Sequence, residues 1–278
     1  MKIDVSVRTF NSGKFLDACL SGIEQTFNVN NLIIVDHYST DGTIEIARQH
    51  NANIILENQG IGYALELAVR KASTPIFAII DSDVELKKGK WVDLLFRKFE
   101  DQTVGGVGLR MYSDIPLWRK RYATFWAHAR GFDILKGGDW VNAYVVRKKA
   151  VADFRIPKGL NSYEHVYLKD AIIRNGYKTS FVDADGVHYY GFGATKGFAL
   201  GAGERTLYGL RTFHQSILRS VLPSTLKSIL PAIAYRDTSV ILGNTKYWFE
   251  FLQGYLHPQK YMPGMKTRQN ESFTPTDS

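Results

Sequence analysis

The sequence predicts an α/β fold built on a mostly parallel sheet flanked by helices, and three observations carry that expectation. Short apolar runs recur at residues 5–7, 32–35, 54–56 and 76–80. Segments with helical spacing, at residues 15–23, 43–48 and 63–72, alternate with them. The connections are short, so each strand–helix–strand unit should return the chain as a parallel neighbour in one sheet.

Each element can be taken in order. The first strand is expected almost at once, because Met1-Lys-Ile-Asp-Val-Ser-Val reads as an alternating pattern and does not resemble a signal peptide. Strands two and three and the helices between them follow the same rhythm to residue 80. Beyond it the pattern loosens. Residues 104–109 read as a further strand weakened by glycines, 116–130 as a helix rich in Trp, Arg and Tyr, and 140–146 as a strand. Residues 161–175 read as a helix closed by Asn175-Gly176, and 179–190 as an extended segment containing His188.

With 278 residues, 45% of them hydrophobic, the chain can bury a full core. We expect a catalytic domain over residues 1–190, a basic helical extension over 191–262 and a disordered polar tail over 263–278. Cys19 is the only cysteine, which excludes an intrachain disulfide and a cysteine-built zinc site and points to a reducing compartment. The catalytic part should therefore face the cytoplasm. The formal charge is +8, and between Gly191 and Lys260 Lys and Arg outnumber acids by eight to three. That placement points to a membrane surface, and nucleic acid is not an expected partner.

In a parallel sheet, ligands bind beyond the carboxyl ends of the strands. The polar residues there form a set: residues 8–13 with Thr9 and Asn11, 36–43 opening on Asp36, 57–62 with Asn58, Gly60 and Gly62, and the fourth run ending in Asp81-Ser-Asp83 with Glu85 beyond. Ser39-Thr40-Asp41 also reads as a helix cap, and Gly60-x-Gly62 as a tight turn. Together the loops could hold a nucleotide, with a carboxylate for a base N–H and glycines for close backbone approach. Asp81 and Asp83, two apart on a strand, would project to one face. Their repulsion could be relieved by Mn²⁺ or Mg²⁺ carrying a diphosphate.

The stretches Val5-Ser-Val-Arg-Thr-Phe-Asn, Ile33-Ile-Val-Asp-His-Tyr-Ser-Thr-Asp-Gly-Thr, Asn58-Gln-Gly-Ile-Gly-Tyr-Ala and Ile80-Asp-Ser-Asp resemble, in order and spacing, the N-terminal half of family 2 glycosyltransferases. The resemblance implies a Rossmann-like, glycosyltransferase A type fold and a nucleotide-diphosphate sugar donor. It also implies a divalent metal and inversion at the anomeric carbon. It places Thr9 and Asp36 at the donor's base or ribose, Asp81 and Asp83 at ribose, metal and diphosphate, and His188 as a third metal ligand.

Three positions depart from the family pattern. Arg8 stands where a proline is common, His37 replaces an aspartate after Asp36, and the acceptor-side Glu-Asp pair reads Glu164-His165. An inverting transfer to a hydroxyl needs a general base, for which Glu164 and His165 are the candidates. Asn161-x-x-Glu164 also fits a helix capping box.

In the extension, Leu218, Leu222, Leu226, Ile229 and Ile233 recur at helical spacing, with Pro223, Pro231 and basic residues interrupting any membrane-spanning run. With the aromatic group at 247–251, this fits either a helix lying in a membrane interface or a helical lid. The expected activity is metal-dependent transfer of a sugar to a lipid-linked or surface-glycan hydroxyl by a peripheral membrane protein. Three rivals remain at this level: a polyprenyl-phosphate sugar synthase, a haloacid-dehalogenase-like phosphatase and a sugar-nucleotide-binding protein without turnover.

Overall fold

The computed structural model of the chain describes residues 1–114, 142–157, 159–160, 162–189, 198, 201–203, 205–206, 229–230, 232–234 and 236–261. The helix expected at 116–130, the leucines of the apolar stripe at 218–226, Asn161 of the capping box and the tail at 263–278 lie outside them. The described residues group into two compact units, one drawn from residues 1–114, 142–156 and 164–189, the other from 157–163 and 198–261.

The first unit begins as the sequence predicts: β1 Ile3–Thr9, α1 Gly13–Thr26, β2 Val29–Asp36, α2 Thr43–Gln49, β3 Asn53–Leu56, α3 Ile61–Lys71 and β4 Ile76–Asp81. It continues with β5 Val84–Leu86, α4 Trp91–Lys98, β6 Val104–Asp114, β7 Ala143–Arg147, α5 Glu164–Arg174 and β8 Lys178–Tyr189. One eight-stranded sheet has the order β3-β2-β1-β4-β7-β6-β8-β5. The first four strands are parallel, as are β6 and β8, whereas β7 and β5 run antiparallel to their neighbours. The expected helix-flanked, mostly parallel sheet is therefore present, with the antiparallel pairs confined to its second half. Only two residues separate the end of β4 from the start of β5, yet β5 lies at the far end of the strand order, so the sheet must curl.

Both faces of β1 are covered, which explains why all seven of its residues are buried. Ile3, Val5 and Val7 join α1 and α4 through Leu16, Leu20, Ile23, Trp91 and Leu95. The opposite face of β4, Phe77 and Ile79, meets α3 and α5 through Leu65, Val69, Leu168 and Ile172. Burial of this kind contributes about 1.5–3 kcal/mol per large apolar side chain.

In the second unit, α6 Ser239–Leu256 leads to α7 Pro258–Tyr261. A Cβ at Gly254 would fall 1.9 Å from the Phe198 carbonyl oxygen, and one at Gly201 1.9 Å from that of Phe251, so these backbones touch directly. α6 buries Phe251 and Tyr255 and exposes Leu242, Phe249 and Leu256, one every seven residues. Of the expected apolar stripe, Ile229 and Ile233 are exposed as well. Among the described residues no helix is long and apolar enough to cross a membrane.

Candidate active site

The rim at the carboxyl ends of β1, β2 and β4 is organised by register. Across the parallel ladders Thr9 lies opposite Asp36 and Arg8 opposite Asp81. Successive residues of a strand face opposite ways, so the two pairs sit on opposite faces of the sheet. Each pair is joined by its side chains.

On the Thr9 side, hydrogen bonds stitch the first two loops together. The Asp36 carboxylate, fully buried, accepts from Thr9 Oγ1 at 2.6 Å, Ser39 Oγ at 2.6 Å and Ser39 N at 2.7 Å. Asn11 Oδ1 accepts from Thr40 N at 2.9 Å, while Asn11 N donates to Ser39 Oγ. Asp41 accepts from Gly13 N and from the Thr43 hydroxyl, holding its carboxyl below the ordinary value despite the opposing effect of burial. The sequence allowed Ser39-Thr40-Asp41 as a helix cap. The N-cap position of α2 is Gly42, at φ +86°, but Asp41 just before it accepts from Thr43 N at 3.3 Å through Oδ1, at the start of the helix, and from Gly13 N of the neighbouring loop through Oδ2.

The third loop is tied in through Glu57. Its Oε1 meets His37 Nδ1 at 2.7 Å, and its Oε2 accepts from Gln59 N at 2.7 Å and Gly60 N at 3.0 Å. Gly60 has φ +97°, a region L side chains adopt only with strain. Phe10, largely exposed, packs edge-on against His37 with ring centroids 5.3 Å apart. Asn58 is exposed at the lip of this loop, and Gly62 is buried in the first turn of α3.

The other side of the rim is built from charges. Arg8, its side chain 4% exposed, donates through Nη2 to Asp81 Oδ1 at 2.5 Å and through Nη1 to Glu164 Oε1 at 2.8 Å. Burial works against its charge, but Tyr144, Asp81 and Glu164 outweigh that and keep the guanidinium firmly protonated. Burial pushes Asp81 up to about 6; Arg8 opposes the shift, and the charges of Asp83 and Glu164 add to it. Burial acts on Glu164 in the same sense, yet Arg8 and His165 hold its carboxyl below the ordinary range. His165 is held below the usual histidine value by burial, only partly offset by Glu164 and reinforced by Arg8 and Lys169. It is therefore neutral near pH 7.

Asp83 follows a different course from the sequence expectation. β4 ends at Asp81 and the chain turns at Ser82–Asp83, so strand alternation does not relate the two carboxylates. Asp83 Oδ2 lies 3.3 Å from His188 Nε2, and His188 Nδ1 lies 3.2 Å from Asn142 Nδ2. The Asp83 carbonyl accepts from Tyr189 N at 2.7 Å, and Ser82 Oγ meets Ser12 Oγ at 2.8 Å, which joins the turn to β8 and to the first loop.

Of the residues predicted from sequence, Asp81 and Glu164 are thus joined through Arg8, His165 follows Glu164 at the start of α5, and Asp83 is paired with His188. Thr9, Asn11 and Asp36 lie together but spend their hydrogen bonds on each other's loops. The residue sequence reasoning did not assign is Arg8. Its signal was a charged side chain at the end of an apolar strand, level with the strand that ends in Asp81.

The carboxylates also fit a hard divalent cation. Asp81 and Asp83 are each about a quarter exposed, and among the described residues each commits one oxygen to a partner and leaves the other without a hydrogen bond. Among the described residues no three His, Cys, Asp or Glu side chains form a metal-holding group. A bound ion would therefore draw on two carboxylates and on oxygens of its substrate, as Mg²⁺ commonly does.

Residues 4–156 match the model of glycosyl transferase family 2, more than half of the chain. The chain belongs to that family. A glycosyltransferase of Mycobacterium tuberculosis is 33% identical over 88 residues, 31% of this chain and 39% of that protein. The teichoic acid poly(glycerol phosphate) polymerase of Staphylococcus epidermidis is 32% identical over 94 residues, 13% of its length. The chain thus matches well under two thirds of the length of these curated relatives. Among solved structures, glucosyl-3-phosphoglycerate synthase from M. tuberculosis, in complex with Mn²⁺, UDP and phosphoglyceric acid, superposes with TM-score 0.52 at 19% identity. The superposition covers 76% of this chain and 77% of that one. The same enzyme has been solved with Mg²⁺ and UDP, at the same TM-score and identity. This likeness shows the fold that the sequence resemblance implied.

Proposed function

We propose that this family 2 glycosyl transferase moves a sugar from a nucleotide-diphosphate donor to an acceptor hydroxyl with inversion, using Mn²⁺ or Mg²⁺ at Asp81 and Asp83. The observation that supports it best is the charged side of the rim. One partly exposed carboxylate, Asp81, ends the central parallel strand and a second, Asp83, stands in the turn after it, while a third, Glu164, reaches Arg8 from the first turn of α5 with His165 next to it in the chain. The UDP and Mn²⁺ or Mg²⁺ complexes of glucosyl-3-phosphoglycerate synthase, which has the same fold, favour UDP as the nucleotide of the donor. A divalent ion there would stabilise the negative charge that develops on the departing diphosphate.

The chain's own residues divide the remaining work. Loops 8–13, 36–43 and 57–62 form the nucleoside side, with Thr9, Asn11, Asp36, Asn58, Gly60 and Gly62 shaping it. His188 steadies Asp83 and would be the candidate for a third protein ligand to such an ion. Glu164 is engaged by Arg8 and held ionised, which makes it a weak base. His165, neutral at working pH, is the better acceptor for the proton of an attacking hydroxyl. A lipid-linked or surface-glycan acceptor fits the basic C-terminal segment and the exposed Leu242, Phe249 and Leu256 of α6, which would rest at a membrane surface.

A second reading has a specific observation behind it. The solved relative binds phosphoglyceric acid and the staphylococcal relative is named for glycerol phosphate, so an anionic phosphate-bearing acceptor is the alternative. The phosphatase reading loses its basis, because Asp81 is engaged by a buried arginine and the chain belongs to a transferase family.

The test is incubation of the purified chain with UDP-glucose and other UDP-sugars in the presence of Mn²⁺, following UDP release. Metal-dependent release supports the enzyme reading. UDP binding without release from any UDP-sugar, with or without polyprenyl-phosphate, glycan or phosphoglycerate acceptors, favours a binding protein.

A further inference from the structure

We propose that Arg8 is a positioning residue that couples the donor half of the site to the acceptor half. The inference rests on the reading of Asp81 as a donor-side group and of Glu164 as an acceptor-side one. Arg8 and Asp81 are direct partners across the β1–β4 ladder, so the backbone already sets their side chains on one face. Glu164 comes from the start of α5, 156 residues along the chain from Arg8. The guanidinium reaches both carboxylates at once through two different nitrogens, Nη2 to Asp81 and Nη1 to Glu164.

The guanidinium does this with two separate nitrogens held in one plane. A lysine ammonium has three donors but only one nitrogen, on a different stem, and cannot hold the two carboxylates at the same separation and orientation. Asp81, Asp83 and Glu164 would otherwise be three acids crowded at one place, two of them already pressed by burial towards their neutral forms. Arg8 offsets that charge from within, and it takes one oxygen of Asp81. It thereby fixes which oxygen faces the rim. A movement of the N-terminus of α5 displaces Glu164, shifts the guanidinium and reorients Asp81. Position on the acceptor side is thus transmitted to the carboxylate that meets the donor.

The experiment is a calorimetric titration of the full chain with UDP in the presence of Mn²⁺, on wild type, Arg8→Lys, Glu164→Gln, the double variant and Asp83→Ala, with melting temperature measured for each. Arg8→Lys should bind at least about tenfold more weakly, because its charge is kept but its bridge is lost. Glu164→Gln should weaken binding several-fold although it does not touch the donor side. The double variant should be no weaker than Arg8→Lys alone, since groups acting through one link are not additive. Binding by Arg8→Lys within twofold of wild type, or losses that multiply, overturns the proposal. If Arg8→Lys does not fold, Glu164→Gln decides, and unchanged binding in it overturns the coupling. Weak binding by Asp83→Ala with normal binding by Arg8→Lys removes the coupling alone. Unchanged binding in Asp83→Ala removes the donor-site reading, and the role of Arg8 falls with it.

Discussion

The two sides of the rim are built from similar residue types and do opposite things with them. On the Thr9 side Asp36, Asn11 and Asp41 turn their polar atoms towards neighbouring loops, and nearly every bond closes within the scaffold. On the Arg8 side Asp81 and Asp83 are each held at one oxygen and offer the other. The difference teaches that a carboxylate at a strand end is not by itself a reactive group. What matters is how much of its bonding capacity the fold consumes.

The sharpest way to break that contrast is to remove Asp36. Asp36→Ala leaves Thr9 and Ser39 without their buried acceptor, and unfolding in urea should show a loss of about 3 kcal/mol, given roughly 1–3 kcal/mol for each buried group left unsatisfied. A variant as stable as wild type would mean that Asp36 is not part of the scaffold. On the other side, His165→Ala should leave the melting temperature near wild type and lower kcat for UDP release by about 10²-fold, the usual scale of general-base catalysis. An unchanged kcat would transfer the role of base elsewhere, or mark an acceptor that arrives already ionised.

Acidity gives a gentler test. A cation must compete with the proton for Asp81, whose pKa lies at about 6. Mn²⁺ affinity should therefore hold above that pH and fall by up to about tenfold per unit below it, more steeply in wild type than in Asp81→Asn. Equal slopes would remove Asp81 from the ligand set. The smallest effect belongs to the scaffold side, where His50 meets Glu24 at 3.0 Å and Asp17 at 3.2 Å and so fastens the end of α2 to α1. Burial works against the charged ring, but the two carboxylates raise its pKa. The group's contribution is thus complete below the unfolded value of about 6.5 and lost as pH rises through the folded one. Solvent screening limits it to about 0.5 kcal/mol. His50→Gln should change the difference in stability between pH 5.5 and 8 by no more than about that amount, read from paired urea unfolding of the two proteins, and an identical difference in both would remove this contribution.

The first half of the fold could be read from sequence because its strands are buried on both faces and its helices have clear apolar stripes. Each of the four apolar runs and three helical segments before Asp81 falls within the observed element, except that the segment at 63–72 ends on Ala72, the C-cap of α3. β5 escaped because three residues carry no period, and α4, Trp91–Lys98, because it packs through little more than Trp91 and Leu95. The convergence of Asp81 and Asp83 was argued from strand alternation, which the turn at Ser82 interrupts. Arg8 could not be placed from sequence for another reason. Its partners lie 73 and 156 residues away, and no local pattern reports a salt bridge formed only when α5 returns to the sheet. The stitching of Asn11 to Thr40 was hidden in the same way, since the sequence showed two polar loops without showing that they bond to each other.

The central claim is that Asp81 and Asp83 receive the donor's diphosphate through a divalent ion. Calorimetric titration of UDP into wild type and Asp83→Ala, each with Mn²⁺ and with chelator, tests it most directly. The account predicts Mn²⁺-dependent binding in wild type and a loss of at least about tenfold in Asp83→Ala at an unchanged melting temperature, because Asp83 sits in a rim turn outside the core. Equal UDP affinity in the two proteins with Mn²⁺ present would contradict it.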